Sequence, residues 1–262
     1  MTTNNTSTNQ NLLDEYSSLL LRRDHLFRDA GSYQVMYTVE FGELIAANLE
    51  LKVACIKEKK TISYCRRRMN RGLAIDVGRM HDEIDEEMTL YRKELDEMLG
   101  DVERAKSAKT IGQYEQSRSK RIYRKLAKLL HPDIFPQVDE DEELKDLWLR
   151  ITKAYHCCDI DALEELEIVA RTKLKEYGAD EWEVEADNLE ERIERVERQI
   201  NDILTTEPYT YCELLHDESK KKAHREELQA EHDEYEAYLA ELKKTLEAML
   251  NEGAVRLLWN VN

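Results

Sequence analysis

A chain of 262 residues with a formal net charge of −17 is long enough to bury one to three cores. Its acidity argues against a general nucleic-acid binder, which needs a basic face for phosphate. Charged residues make up 36% of the chain, against 8 glycines and 3 prolines, and apolar residues recur at helical spacing, so the expected fold is all-α with coiled-coil character. No apolar run reaches the length of a bilayer, and the opening MTTNNTSTNQ lacks the charged start and apolar middle of an export signal. The expected location is therefore cytoplasmic, with no membrane partner.

Residues 1–10 are polar and read as a disordered tail. Leu12, Leu13, Tyr16, Leu19, Leu20 and Leu26 predict a helix that breaks near Gly31 and Ser32. A second helical pattern runs from Gln34 to Asn70, where Gly72 supplies a left-handed cap. Asp76 starts a third helix, with Ile84, Met88, Tyr91, Leu95 and Met98 on one face and Gly100 as its stop. Residues 11–100 thus read as an N-terminal helical bundle. A basic run within it (Lys57, Lys59, Lys60, Arg66, Arg67, Arg68, Arg71) reads as a solvated face paired with neighbouring acids. No aromatic platform for stacking bases accompanies it. The stretch DVERAKSAKTIGQYEQ, residues 101–116, reads as a linker or a weak helix.

From Ser117 the character changes. Ile122, Leu126, Leu129 and Leu130 fall on one side of a helix, while Arg121, Arg124, Lys125 and Lys128 fall on the other, with no acid among them. His131-Pro132-Asp133 follows. Proline cannot continue a helix and restricts the residue before it, so a loop begins there, with His131 and Asp133 expected at its exposed tip. Leu144, Leu147, Trp148, Ile151, Ala154 and Tyr155 then mark a second amphipathic helix facing the first. Asp161, with Glu164 three residues on, has the pattern of a capping box. It opens a helix carrying Leu163, Leu166, Ala170, Leu174 and Tyr177, which stops at Gly178.

Beyond Glu181, Leu189, Ile193, Val196, Ile200 and Ile203 follow a heptad. Thr205–Ser219, with Pro208, forms a turn. The return helix carries Leu228, Tyr235, Leu239, Leu242, Leu246 and Met249. Residues 181–262 are therefore expected to fold back as an antiparallel coiled-coil hairpin, a surface that could also pair with a second copy. Leu257, Leu258 and Trp259 are expected to dock on the body or on a partner.

The segment KRIYRKLAKLLHPD, a loop, and LWLRITKAY together resemble the core of a J-domain, the DnaJ-like co-chaperone module, over about the central fifth of the chain. On that resemblance residues 111–178 form a divergent J-domain. The resemblance implies that Lys120, Arg121, Tyr123, Arg124, Lys125 and Lys128 dock on the acidic face of a DnaK-type heat-shock ATPase. His131, Pro132 and Asp133 would then trigger ATP hydrolysis by that partner. Two departures stand out. The usual opening helix of the Tyr-x-x-Leu-Gly type has no counterpart, so another element, the Met80–Leu99 helix, is expected to cover the apolar surface. Ile134 also replaces the basic residue that many members carry after the tripeptide. The Gly/Phe-rich segment and zinc-binding repeats of the fullest family members are absent, so the helical arms would recruit an unidentified target protein instead.

An alternative reading is a non-catalytic coiled-coil scaffold with a degenerate J-like core. Catalysis by this chain is not expected. There is no H-E-x-x-H, no glycine-rich phosphate loop and no nucleophile elbow, and neither a cofactor nor a metal is implied. His216, His224 and His232 are too far apart along one helix to share a metal and read as surface residues. The five cysteines form no CxxC pair and read as reduced, small apolar side chains.

Overall fold

The computed structural model describes residues 2–107, 112–177 and 188–259, with side chains from residue 11 to residue 251 apart from Glu176. Ten helices and no strand occur among the described residues: α1 Thr2–Asn70, α2 Val77–Glu87, α3 Thr89–Ser107, α4 Gln113–Leu130, α5 Gln137–Glu140, α6 Glu142–His156, α7 Ile160–Glu176, α8 Leu189–Thr205, α9 Tyr211–Leu215 and α10 Glu218–Trp259. The fold is all-α, and none of these helices is long and apolar enough to cross a membrane.

The chain divides into two units that interleave in sequence. One comprises Met1–Tyr33 and Lys109–Tyr211, the other Gln34–Ala108 and Cys212–Asn262. Helix α1 contributes to both. It starts at Thr2, inside the stretch expected as a disordered tail, and runs through Gly31 without the expected break. A helical glycine costs only about 1 kcal/mol relative to alanine, and the adjoining turns are held by buried Arg28 and Ala30. Ser32 also donates to the Arg28 carbonyl at 3.2 Å.

The first unit is centred on α4, α6 and α7. Leu126, Leu130, Leu144, Ile151, Leu163 and Ala170 are buried among them, so the two amphipathic faces read from the sequence do meet. Asp141 caps α6 by accepting from the Glu143 and Leu144 amides. Helix α7 is capped by Asp159, which accepts from Ala162 N–H at 3.1 Å, not by Asp161. Gly178, its expected stop, lies outside the described residues. A second cluster joins Tyr16 and Leu20 of α1 to Leu189, Ile193, Val196 and Ile200 of α8, with Ile134 among them.

The second unit is built on the later part of α1. Its end matches the expectation: Gly72 has φ +66°, and the Gly72 and Leu73 amides bond back to the Met69 and Arg68 carbonyls. Asp76 caps α2 by accepting from Arg79 N–H. The next helix is interrupted at Met88 and then continues past Gly100 to Ser107. Tyr64, Cys65, Met80, Ile84 and Met88 form its core, with Leu246 and Met249 of α10 packed against it. Gly42 lets α3 approach α1 closely, since a Cβ there would lie 2.8 Å from a Val102 methyl. Part of the basic run is neutralised as expected, by the Lys60–Glu87 and Arg67–Glu83 pairs.

Two expectations change here. Helices α8 and α10, expected to pair as a hairpin, fall in different units, each packed on its own stretch of α1. A heptad stripe demands an apolar partner without specifying which one, and α1 supplies Tyr16 and Leu20 to the one helix and Tyr64 and Cys65 to the core that the other packs against. His224 and His232, expected as surface residues, are half-buried and bond to Tyr37 and Asn48 of α1 at 2.9 Å each. Asn48, 4% exposed, also donates to the Leu228 carbonyl at 2.8 Å. The side chains of Leu257, Leu258 and Trp259 lie outside those described.

Candidate functional site

Helix α4 ends where the sequence requires it. His131 has extended dihedrals (φ −65°, ψ 121°), as the following proline favours, while its N–H still closes the last helical turn onto the Ala127 carbonyl. The loop then folds onto that residue. The Ile134 and Phe135 amides donate to the His131 carbonyl at 2.9 and 2.8 Å. Asp133 N–H donates to His131 Nδ1 at 3.1 Å. With Nδ1 accepting, the ring proton belongs on Nε2, which faces outward from the loop.

What Nε2 meets is α1. It sits 3.4 Å from Asp24 Oδ2, an oxygen that also accepts from the Tyr123 hydroxyl at 2.8 Å. Arg23 completes the arrangement. Its Nε and Nη2 hold Asp24 Oδ1 at 3.1 and 3.0 Å, and its Nη1 reaches Asp133 Oδ2 at 3.1 Å and Gln199 of α8 at 3.2 Å. The Trp148 ring closes over His131 at 5.0 Å between centroids. His131 is consequently 3% exposed, in contrast to the open tip expected from the sequence. Pro132 is half-buried, and the Asp133 side chain keeps 43% of its exposure.

The electrostatics are consistent with these contacts. Burial pushes the Asp24 carboxyl up, but the hydrogen bond from His131 and the Arg23 charge outweigh it and hold the group below the usual carboxylate range. Burial, with the Asp24 carboxylate close by, pushes the Tyr123 phenol well above its ordinary value, so it remains a donor. Tyr123 stacks on Tyr155 at 4.0 Å with an interplanar angle of 11°. The Tyr155 hydroxyl meets His25 Nδ1 at 2.6 Å, and Arg28 lies 4.8 Å over the Tyr155 ring.

The residues to which the resemblance gives a docking role divide into two groups. Arg121, Arg124, Lys125 and Lys128 are exposed on α4. Lys125 pairs with Glu167 at 3.3 Å, whereas Arg121, Arg124 and Lys128 have no ion partner among the described residues. Lys120 is half-buried and 3.6 Å from Asp29. Tyr123 is 1% exposed and belongs to the core, not to the outer face of α4 as expected. It lies three residues before Leu126 and seven before Leu130, on the inward side. A cleft of about 800 Å³ opens between α1 and α4. Its apolar lining includes Leu13, Leu21, Ile134 and Phe135, and Arg22, Arg124 and Lys128 line it as cations.

The element covering the α4–α6 pair is therefore α1, with Leu21 inside the shared core, and not the Met80–Leu99 segment, which belongs to the other unit. Sequence reading missed Arg23, Asp24 and His25, although a signal existed. Counting four residues on from Leu20 and Leu21 places Asp24 and His25 at core positions of an otherwise apolar stripe. The environment of Ile134 also follows: it is 8% exposed and packed among Tyr16, Leu20 and α8, where a lysine or arginine would bury a charge.

Comparison with known proteins found no match to a family model, a curated protein or a solved structure.

Proposed function

We propose that this chain is a divergent J-domain co-chaperone that docks on a DnaK-type heat-shock ATPase through α4. It stimulates ATP hydrolysis by that partner through the His131-Pro132-Asp133 loop, while its other helices recruit a specific target. The observation that carries this reading is the outer face of α4, where Arg121, Arg124, Lys125 and Lys128 are exposed and lead directly to the loop on a protein of net charge −17. A cationic stripe on so acidic a molecule favours an acidic partner surface, adding association rate and orientation more than affinity.

The test is binding of the intact chain to a DnaK-type ATPase at low and high salt, with Arg121→Glu/Arg124→Glu/Lys128→Glu as comparison. Salt-sensitive binding abolished by charge reversal supports the reading. Binding that is absent, or indifferent to the reversal, removes it.

A second reading keeps support from one observation. His131 is buried, with Asp24 beside it, which suits a scaffold in which the tripeptide serves as an internal knuckle. No ATPase stimulation at any concentration, with partner binding indifferent to His131→Gln, would favour that scaffold.

A further inference from the structure

The contacts around the loop separate two things that the proposed function needs together. The cations of α4 face solvent, whereas the trigger is engaged by its own chain. Arg23 binds the Asp133 carboxylate, and Asp24 stands against His131 Nε2. The following residue, Ile134, is held in an apolar socket of α1 and α8. Three successive parts of the loop, an imidazole, a carboxylate and an aliphatic side chain, each find a complementary group on adjoining elements of the same unit.

Resting on the co-chaperone reading, we propose that the Tyr16–Asp29 stretch of α1 is an autoinhibitory strap. Arg23 occupies Asp133 as a partner's guanidinium would, and Asp24 shields His131, so that the trigger is closed while the docking face stays open. Arg23 Nη1 holds Asp133 Oδ2 at 3.1 Å, so a second guanidinium approaching that oxygen from the same side meets a cation already in place. The partner must therefore displace Arg23 or engage the protein in a minor open state, and its apparent affinity is reduced by the fraction of molecules that are open. Docking on Arg121, Arg124 and Lys128 requires no such opening. Activation then proceeds in two steps: capture by α4, followed by release of the loop from α1.

Two readouts on the full chain test this. Arg23→Glu sets a third carboxylate beside Asp24 and Asp133 and should open the strap, while Arg23→Lys keeps the charge and should leave it closed. Arg23→Ala, which only deletes contacts, serves if charge reversal unfolds the unit. Hydrogen exchange of the Ile134 and Phe135 amides should quicken about tenfold in Arg23→Glu and stay at the wild-type rate in Arg23→Lys. Stimulation of a DnaK-type ATPase at subsaturating concentration should rise about tenfold, equivalent to 1.4 kcal/mol, and vanish when His131→Gln is added. Unchanged exchange in Arg23→Glu overturns the strap, as does wild-type stimulation equal to that of the variant. Faster exchange without stimulation by any variant removes the co-chaperone reading, and with it the inhibitory meaning of the contact.

Discussion

Ile134→Ala probes whether the loop is seated on α1 and α8. The side chain is 8% exposed among Tyr16, Leu20, Leu189 and Ile193. Truncating a buried isoleucine to alanine costs about 2–5 kcal/mol, depending on how much of the vacated space stays empty. Here the site borders the cleft of about 800 Å³, so water can enter and the cost belongs at the lower end, about 2–3 kcal/mol. For a unit comprising Met1–Tyr33 and Lys109–Tyr211, 1 kcal/mol corresponds to about 3–4 °C in Tm, giving a fall of roughly 6–12 °C. Scanning calorimetry of the full chain should show that fall in one transition only. Ile134→Lys should cost more, because the ammonium must leave the socket. A loss below about 0.5 kcal/mol, the usual range of surface substitutions, would show that Ile134 is not packed in solution, and the seating would be refuted.

Two glycines of α1 should respond in opposite directions. Nothing lies within 4 Å of a Cβ built on Gly31, so Gly31→Ala should stabilise by about 1 kcal/mol through helix propensity. At Gly42 the added methyl meets Val102 at 2.8 Å, and overpacking of about 1–3 kcal/mol should cancel or reverse that gain; equal Tm shifts for the two would deny the close approach of α3. Burial, then the Lys120 and Arg28 charges, lower the His25 pKa to about 4 against the attraction of Asp24 and Asp29. The unfolded chain therefore takes up the His25 proton first, and stability should be full above about pH 6.5 and decline as the pH falls toward 4. His156, also lowered by burial, acts in the same direction. His25→Gln should flatten the decline of Tm with acidification, and an unchanged slope would count against the half-buried neutral imidazole.

The helices around His131 were legible because local rules decide them. The apolar phase placed Ile122, Leu126, Leu130 and Ile151 inward, proline ended α4, and Asp76 and Gly72 acted as the caps their chemistry suits. Pairing was not legible. The stripes of α8 and α10 show equal need for a partner, and which apolar face meets which is settled by packing over long sequence separations. Tyr123 was placed outward by likeness to a docking surface, although its helical phase pointed inward. The candidate site was half visible in the same sense. His131, Asp133 and the α4 cations could be named, but Arg23 and Asp24 lie about a hundred residues upstream, separated from Asp133 and Tyr123 by 110 and 99 positions, and no local pattern connects them.

The passage of α1 through both units has a consequence for biosynthesis. Asn48 must wait 180 positions for Leu228, and Arg23 must wait 176 for Gln199. At ribosomal speeds of about 5–20 residues per second, α1 spends roughly 10–40 s outside the exit tunnel before its last partner arrives. A nascent helix with an uncovered apolar stripe for that long is a substrate for the holding chaperones that bind such stripes. The growing polypeptide would thus be a client of the cell's folding machinery before it can serve as anything else.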